Sequence, residues 1–325
     1  MKARIVAYLL TLWVILTLNF LLPRLLPGDP LSALLDPESS DYVFEAEVRA
    51  SLETYYGLDR PLVAQYGAYL KGAVTGDLGR SIRLNQPVGE LIVAHLPWTL
   101  LLTGTALTLA SLLGLLGGSQ AAWRRGSAVD RLVTAASVVA GNAPVYFVGM
   151  MLLILFGAEL GWLPLAGGRT PFAQYNSPQA AIADIGTHLI MPALTLTLSL
   201  LGIQFLLVRN NMVGILGEDF MLVARAKGLR QARLKWNHAL RNALLPFVAH
   251  LAAHAALAIT GAVFVETLFQ YPGMGRLIFE AVGARDYPVI QGVFLVVAIV
   301  VLTANLLADC LNARLDPRLA EEVGQ

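Results

Sequence analysis

Long apolar runs separated by charged segments constrain the fold of this chain more than any other feature. A helix that crosses the hydrocarbon core of a bilayer needs about 20 apolar residues. Six runs of roughly this length contain no Asp, Glu, Lys or Arg: 5–22, 96–122, 132–158, 189–208, 242–265 and 289–308. Helices satisfy their own backbone hydrogen bonds in lipid. The sequence therefore predicts an all-α, polytopic membrane protein with six transmembrane helices.

The composition excludes most other classes of protein. Hydrophobic residues make up 56% of the 325 residues and charged residues only 14%, whereas soluble domains carry about 25% charge. The net charge of +1 provides no general attraction for nucleic acid. One cysteine, Cys310, cannot form an internal disulfide.

The first run resembles a signal peptide because Lys2 and Arg4 precede it. Its apolar stretch is too long for one, and no small-x-small cleavage site follows. We therefore expect a retained N-terminal transmembrane helix, 1–22.

Charge counts in the connecting segments predict the orientation. The N-terminus, 123–131, 209–241 and the tail after Leu311 hold 14 basic and 6 acidic residues, whereas 23–95, 158–188 and 266–288 hold 9 basic and 15 acidic residues. Basic connections stay in the cytoplasm. Both termini are accordingly predicted to be cytoplasmic.

The segment 23–95 has the pattern of an external helical cap. Apolar residues recur at helical spacing in 42–56, Gly57 is a stop signal, and Pro61 can begin a second helix. Its alternative role is only to shield helix ends. The predicted division is thus 1–22, the cap 23–95, a five-helix core 96–311 that includes the loop 209–241, and a cytoplasmic tail 312–325.

The chain lacks the groups that would energise transport by itself. It has no G-x-x-x-x-G-K-[ST] phosphate-binding loop. Within or next to the apolar runs, the titratable groups are His250, His254 and Glu266, which is few for a proton relay. We expect no catalytic residues, no metal site and no cofactor in this chain, and a driving force that comes from a partner.

His250 and His254 are four residues apart and share one helical face. Leu251 stands where an H-E-x-x-H motif would have its glutamate, so an intramembrane zinc protease is not predicted. The two histidines either pack against polar groups or line a water-filled path, or they handle a metal during transport.

Two further features concern the apolar runs. Pro144 should kink the third run, and Asn142 beside it either lines a translocation path or packs between helices. Gly114 and Gly118 form a G-x-x-x-G pair that allows close helix packing.

The loop 209–241 carries seven basic and two acidic residues. Phe220, Leu222, Val223 and Ala226 predict a short amphipathic helix that Gly228 ends, and a second basic stretch continues to Pro246. Such a loop often only fixes topology or meets anionic lipid. A short projecting helix also suits docking into the groove of a soluble partner.

The residues Ala224-Arg225-Ala226-Lys227-Gly228-Leu229 resemble the coupling loop of ABC-importer permeases, in particular those of the dipeptide, oligopeptide and nickel branch. The resemblance extends over nearly the whole chain in the same order. The other matching segments are 25–30, 56–62, 65–66, 76–81, 162–164, 238–242, 245–246, 266–269, 271–276, 286–288 and 315–318.

The resemblance implies a type I importer permease fold in a prokaryotic plasma (inner) membrane. It also implies a second, usually non-identical permease subunit, two cytoplasmic ATPase subunits that bind ATP and Mg, and an extracytoplasmic solute-binding protein. Ala224 to Leu229 would dock into the ATPase, and Asn142, Pro144, His250, His254 and Glu266 are candidates for the translocation path. Short peptides are the leading cargo and nickel or a metal chelate is the alternative. A stand-alone secondary carrier or channel is the alternative of another class.

Overall fold

The computed structural model describes residues 2–25, 31 and 42–315, and within these residues every regular element is helical. Each apolar run lies inside one helix or helix pair, as the sequence predicts. The helices are α1 (Lys2–Leu25), α2 (Tyr42–Tyr55), α3 (Leu62–Thr75), α4 (Val88–Trp123), α5 (Ala128–Asn142), α6 (Val145–Leu152), α7 (Pro178–Leu216), α8 (Asp219–Ala226), α9 (Gln231–Arg233), α10 (Arg241–Leu268), α11 (Met274–Gly283) and α12 (Tyr287–Leu315). π-helical turns follow α6 (Leu153–Glu159) and α9 (Leu234–Leu240).

Several helices have the length and apolar character of membrane spans. Among the described residues, Val88–Trp123, Pro178–Leu216 and Tyr287–Leu306 qualify singly. Ala128–Asn142 and Val145–Glu159 qualify together as one bent pair, and Leu10–Leu25 is a shorter apolar helix. The helical membrane class is thus confirmed, whereas the count of six spans and the orientation of the termini stay predictions.

The third apolar run is broken rather than merely kinked. Helix α5 ends at Asn142, α6 begins at Val145, and the two axes differ by 101°. The residue before a proline is pushed out of the helical region, and Ala143 accordingly has ψ 136°. Pro144 therefore ends one helix and begins the next, a stronger effect than the predicted kink.

The first of two compact units comprises the described residues of Met1–Pro97 and Gly273–Leu302. Both predicted cap helices are present in it as α2 and α3, and Gly57 after α2 has φ +66°. Tyr66 and Tyr69 of α3 pack against Phe20 of α1, with ring centroids 5.1 and 5.7 Å away. The Thr17 hydroxyl also shares a 2.7 Å hydrogen bond with the Tyr66 hydroxyl. Helix α3 of the predicted cap therefore packs directly against α1.

Asp286 fixes a loop of the first unit to the start of α12. Its carboxylate accepts hydrogen bonds from the Ser81 hydroxyl at 2.5 Å and from the Arg83 amide at 3.1 Å. It also accepts a longer bond, 3.4 Å, from the Val289 amide in the first turn of α12. A buried carboxylate needs such partners.

The second unit comprises the described residues of Trp98–Pro272 and Thr303–Gln325. Glycine contacts set its packing. A Cβ on Gly118 of α4 would lie 2.8 Å from the Phe205 carbonyl oxygen of α7, and one on Gly114 would lie 3.1 Å from the Gln204 Cβ. The predicted packing role of this glycine pair is confirmed. Gly141 and Gly202 bring α5 and α7 equally close, because a Cβ on Gly202 would lie 2.8 Å from the Gly141 Cα.

Candidate functional site

The segment 209–241 contains a short helix that ends in a glycine turn. Helix α8 spans Asp219–Ala226, and Gly228 adopts φ +72°, which a residue with a side chain rarely takes. The Leu229 amide donates to the Ala224 carbonyl at 3.5 Å, and the Gly228 amide donates to the Arg225 carbonyl at 2.9 Å. This pair of bonds is the Schellman motif. The predicted helix and its glycine stop are therefore confirmed as local structure.

The two sides of α8 differ in burial. Met221 and Ala224 are buried, whereas Leu222 is 71% exposed and Val223 and Phe220 are also exposed. The apolar residues Phe220, Leu222 and Val223 of the predicted amphipathic helix therefore lie on its exposed side, together with Ala226. Met221 and Ala224 are smaller or more flexible residues and fill the space beneath the helix.

Met221 and Ala224 belong to a buried group that we call the seat cluster. It joins the ends of α4 and α7 to α8, the π-helical turn after α9 and the beginning of α10. Its members are Ala122, Met212, Met221, Ala224, Leu234, Ala239 and Ala243. The cluster holds α8 by two side chains and leaves the rest of the helix surface exposed.

The exposed side of this segment is both apolar and basic. Arg225, Lys227 and Arg230 are exposed, next to exposed Leu222 and Val223. An apolar strip with cations along its border is typical of a surface that receives another protein or an anionic membrane.

Lys235, in the π-helical turn after α9, is a buried basic residue of the same segment. Its Nζ donates to the Gln120 Oε1 of α4 at 2.5 Å and lies 4.4 Å from the centroid of the Trp236 ring. Burial, and to a smaller extent the nearby charge of Arg124, lower the pKa of the Lys235 ammonium. A buried ammonium is costly without such contacts.

A second polar contact holds the beginning of the same segment. The Arg209 guanidinium at the end of α7 donates to the Asp130 Oδ1 from Nε at 2.7 Å and to Oδ2 from Nη2 at 2.9 Å. Asp130 lies in the first turn of α5, is buried, and also accepts from the Gly126 amide at 2.9 Å. Bidentate pairs of this kind fix geometry as well as charge.

The candidate path residues do not form one cluster. Asn142 is exposed and donates to the Val138 carbonyl of its own helix at 2.7 Å, and Pro144 occupies the break after it. His250 is exposed, while the side chain of His254 lies outside what the structure describes. Glu266 is fully buried and accepts from the Thr99 hydroxyl at 2.6 Å. It lies about 24 Å along α10 from His250, at 1.5 Å per residue.

In the part of the chain that the structure describes, no three His, Cys, Asp or Glu side chains form a group suited to a metal ion.

The sequence did not predict two polar contacts that we call the polar anchors. They are the Arg209–Asp130 pair and the hydrogen bond from Lys235 to Gln120. In the first of them, Asp130 follows Ser127, whose hydroxyl caps α5 by accepting from the Asp130 amide at 3.2 Å. That Ser-x-x-Asp spacing is a helix-start signal and could have been found. The partners of Asp130 and Lys235 could not, because they are 79 and 115 residues away in the chain.

Helices long enough to cross a bilayer, with a short amphipathic helix seated on their ends, define a polytopic helical membrane protein. Residues 101–321 match the family model described as "Binding-protein-dependent transport system inner membrane component". The chain belongs to this family and is a transport permease subunit.

Curated relatives agree over almost the whole chain. A provisionally named peptide permease protein of Brucella suis is 38% identical over 93% of this chain and 92% of its own length. The di/tripeptide transport system permease protein of Pseudomonas aeruginosa is 35% identical over 94% of each chain. The glutathione transport system permease protein of Escherichia coli is 35% identical over 97% of each chain.

Proposed function

We propose that this chain is one of two permease subunits in an ATP-driven importer of di- and oligopeptides. The relatives named above are permeases for a di/tripeptide and for glutathione, which is itself a short peptide. Nickel or a metal chelate is the alternative cargo, since the sequence resemblance also includes nickel permeases.

The single observation that carries the coupling role is the orientation of α8. Met221 and Ala224 point into the seat cluster, while Leu222, Val223 and Arg225 point outward. An exposed amphipathic helix on an ordered base is suited to a groove of a soluble partner. In this proposal, Ala224, Arg225, Ala226, Lys227, Gly228 and Leu229 dock into a cytoplasmic ATPase.

The proposed assembly contains four kinds of component besides lipid. This chain and a second, homologous permease form the path, two ATPases bind ATP and Mg, and a solute-binding protein delivers the cargo from outside. Six spans with both termini in the cytoplasm belong to the same proposal. Within the path, Asn142, Pro144, His250, His254 and Glu266 remain the candidate contact residues.

Motion of the ATPases then reaches the membrane helices through the polar anchors. The Arg209–Asp130 pair joins the end of α7 to the start of α5, and Lys235 joins the end of the segment to α4 through Gln120. A displacement of α8 is therefore passed to α4, α5 and α7 rather than absorbed by a loop. ATP binding closes the ATPases, and this shift favours the outward-facing state of the path.

Site-directed cross-linking tests the docking assignment. In a Cys310→Ser background, Ala226→Cys should cross-link to an ATPase subunit with a short bifunctional reagent, and nucleotide should change the yield. Phe172→Cys is the matched control, because Phe172 is fully exposed but lies in the predicted outer loop. Equal cross-linking of the two variants, or none in Ala226→Cys, would contradict the assignment.

Transport assays in vesicles test the cargo and the class of transporter. Binding protein and ATP should drive uptake of a radiolabelled dipeptide, and excess nickel salt should not compete with it. Nickel uptake that dipeptide does not inhibit would select the alternative cargo. Flux through the purified chain without ATPase subunits would instead indicate a stand-alone carrier or channel.

A further inference from the structure

The first unit contains a cavity of about 450 Å³ that none of the roles above uses. This volume is within the range of small-molecule sites. Its wall combines the ends of α1 and α2, the length of α3 and the start of α12. The side chains that bear on its chemistry are Arg24, Arg60, Tyr69, Lys71, Asp77 and Gln291.

The lining carries an excess of positive charge. Three cationic side chains, Arg24, Arg60 and Lys71, face one carboxylate, Asp77. Asp77 is engaged locally, because its Oδ1 accepts from the Gly79 amide at 3.2 Å. Among the described residues, no carboxylate lies within ion-pair distance of Arg24, Arg60 or Lys71. The cavity therefore favours an anion.

Arg24 is held in place by neutral groups. Its guanidinium donates to the Phe20 carbonyl and to the Gln65 Oε1, both at 2.8 Å, and lies 3.6 Å from the centroid of the Phe20 ring. These contacts orient the side chain without cancelling its charge. A guanidinium fixed in this way is prepared for the two oxygens of a phosphate or carboxylate.

The same wall also offers a neutral hydrogen-bond donor. The Tyr69 hydroxyl accepts from the Asn19 Nδ2 at 3.0 Å, which leaves its own proton for another acceptor. Burial raises the pKa of Tyr69, so this hydroxyl stays a donor at neutral pH.

The surface beside Arg24 is apolar in the way that a lipid requires. Leu10, Val14, Leu18, Leu21 and Leu25 recur every three or four residues on α1 and are all exposed. This stripe continues along the helix to the level of Arg24. An amphiphile could lay its acyl chains on the stripe and place its head group among the cations. The apolar stripe would contribute nothing to the binding of a small free anion such as inorganic phosphate.

We propose that this cavity binds the phosphate of an anionic phospholipid head group, of the phosphatidylglycerol type, with Arg24 and Lys71 as its main charged contacts. Tyr69 adds a neutral hydrogen bond, and the acyl chains follow the exposed stripe of α1. The bound lipid fixes α1 to α3 and α12, because the cavity wall is built from all three helices.

Native mass spectrometry of the full-length chain, purified with its partner subunits in detergent, tests the proposal. The probes are phosphatidylglycerol, zwitterionic phosphatidylethanolamine and inorganic phosphate, each titrated separately. The wild type should retain phosphatidylglycerol in preference to phosphatidylethanolamine. Arg24→Gln and Lys71→Gln should each lower that retention by about fivefold, the effect of one basic residue on binding an anionic lipid. Arg24→Lys should recover most of it.

Arg49→Gln is the matched control, because Arg49 is an exposed cation of α2 that pairs with Glu53 at 2.9 Å and does not line the cavity. Lys71 is exposed, so Lys71→Gln keeps the test valid if Arg24→Gln does not fold. Unchanged retention in Lys71→Gln overturns the proposal. So does binding of inorganic phosphate with the same dependence but no preference for phosphatidylglycerol. Loss of affinity for the solute-binding protein, with lipid retained, assigns the cavity to that protein instead.

Discussion

Arg209 and Asp130 form a two-point ion pair across the second unit, with N···O distances of 2.7 and 2.9 Å. The Asp130 side chain is almost completely buried and that of Arg209 is 21% exposed. Since the carboxylate also accepts from the Gly126 amide, the pair fixes both the turn before α5 and the end of α7. The segment that carries α8 begins directly after this point.

Removing the arginine should therefore destabilise the protein strongly. Arg209→Met keeps the apolar stem but leaves the Asp130 carboxylate buried without its cation, and we expect a loss of about 3–5 kcal/mol in the free energy of unfolding. Adding Asp130→Asn should recover a large part of that loss. Unfolding in detergent checks both variants, and Arg131→Met, an exposed neighbour, is the control. Equal stability of Arg209→Met and Arg131→Met would contradict a structural role for the pair.

Gly228 should be essential for transport but not for insertion. Its φ of +72° costs a residue with a side chain about 1–2 kcal/mol, and a β-branched residue more. A Cβ at Gly228 meets nothing within 4 Å, so the cost arises from the backbone alone. We expect Gly228→Val to abolish ATP-driven uptake while leaving the amount of protein in the membrane unchanged.

Gly161→Val is the control for this variant. Gly161 has φ +60°, and its Cβ would also meet nothing within 4 Å, but it lies in the predicted outer loop 158–188. The two valine substitutions impose a similar backbone strain. A lower uptake in Gly228→Val than in the control would therefore reflect a role of the segment 224–229 in coupling. Comparable uptake in the two variants would count against docking at Gly228.

The contact between α5 and α7 should not tolerate a methyl group. A Cβ on Gly202 would lie 2.7 Å from the Ser137 carbonyl oxygen and 2.8 Å from the Gly141 Cα, and neither backbone atom can move without shifting a helix. We expect Gly202→Ala to lower stability by about 1–3 kcal/mol, measured as a lower Tm in detergent. Gly104→Ala in α4, where nothing lies within 4 Å, should be neutral or slightly stabilising.

Local patterns predicted the local structure of this chain well. The helices of the cap, the packing of Gly114 and Gly118, and the end of α8 at Gly228 all follow from signals within a few residues. These signals do not predict which side of α8 is buried, because eight residues hold too few apolar positions to define a face. Met221 and Ala224 were selected by the space between the ends of α4 and α7, which no local pattern reveals.

The polar anchors and the cavity of the first unit depend on tertiary structure. A basic residue in the segment 209–241 is equally consistent with solvent, lipid or a buried partner, and only the position of α4 distinguishes Lys235 from exposed Lys227. The surroundings of the Arg24 side chain are likewise formed by α3, α12 and the loop between α2 and α3, which are distant from it in sequence. The sequence predicts the short helix and its glycine stop in the segment 209–241, but not the tertiary contacts that hold the segment in place.

Lys235 gives the protein a pH dependence that an exposed lysine would not. Burial lowers its pKa in the folded protein, whereas in the unfolded chain the pKa returns to about 10.4. Between those two values the folded state binds fewer protons than the unfolded state, so the free energy of unfolding increases with pH across this window. Below the lowered pKa, both states carry the charge and the cost of burying it is constant.

Lys235→Met removes the titrating group. The variant also lacks the hydrogen bond to Gln120, but the stability of the variant itself does not change with the titration of residue 235. The stability of the wild type relative to this variant should therefore be constant near neutral pH and increase as the pH approaches 10. Tm measured in detergent from pH 7 to about 10 checks this, with exposed Lys227→Met as the control that should show no such trend. A pH-independent difference between the wild type and Lys235→Met would mean that the folded structure does not penalise the Lys235 charge.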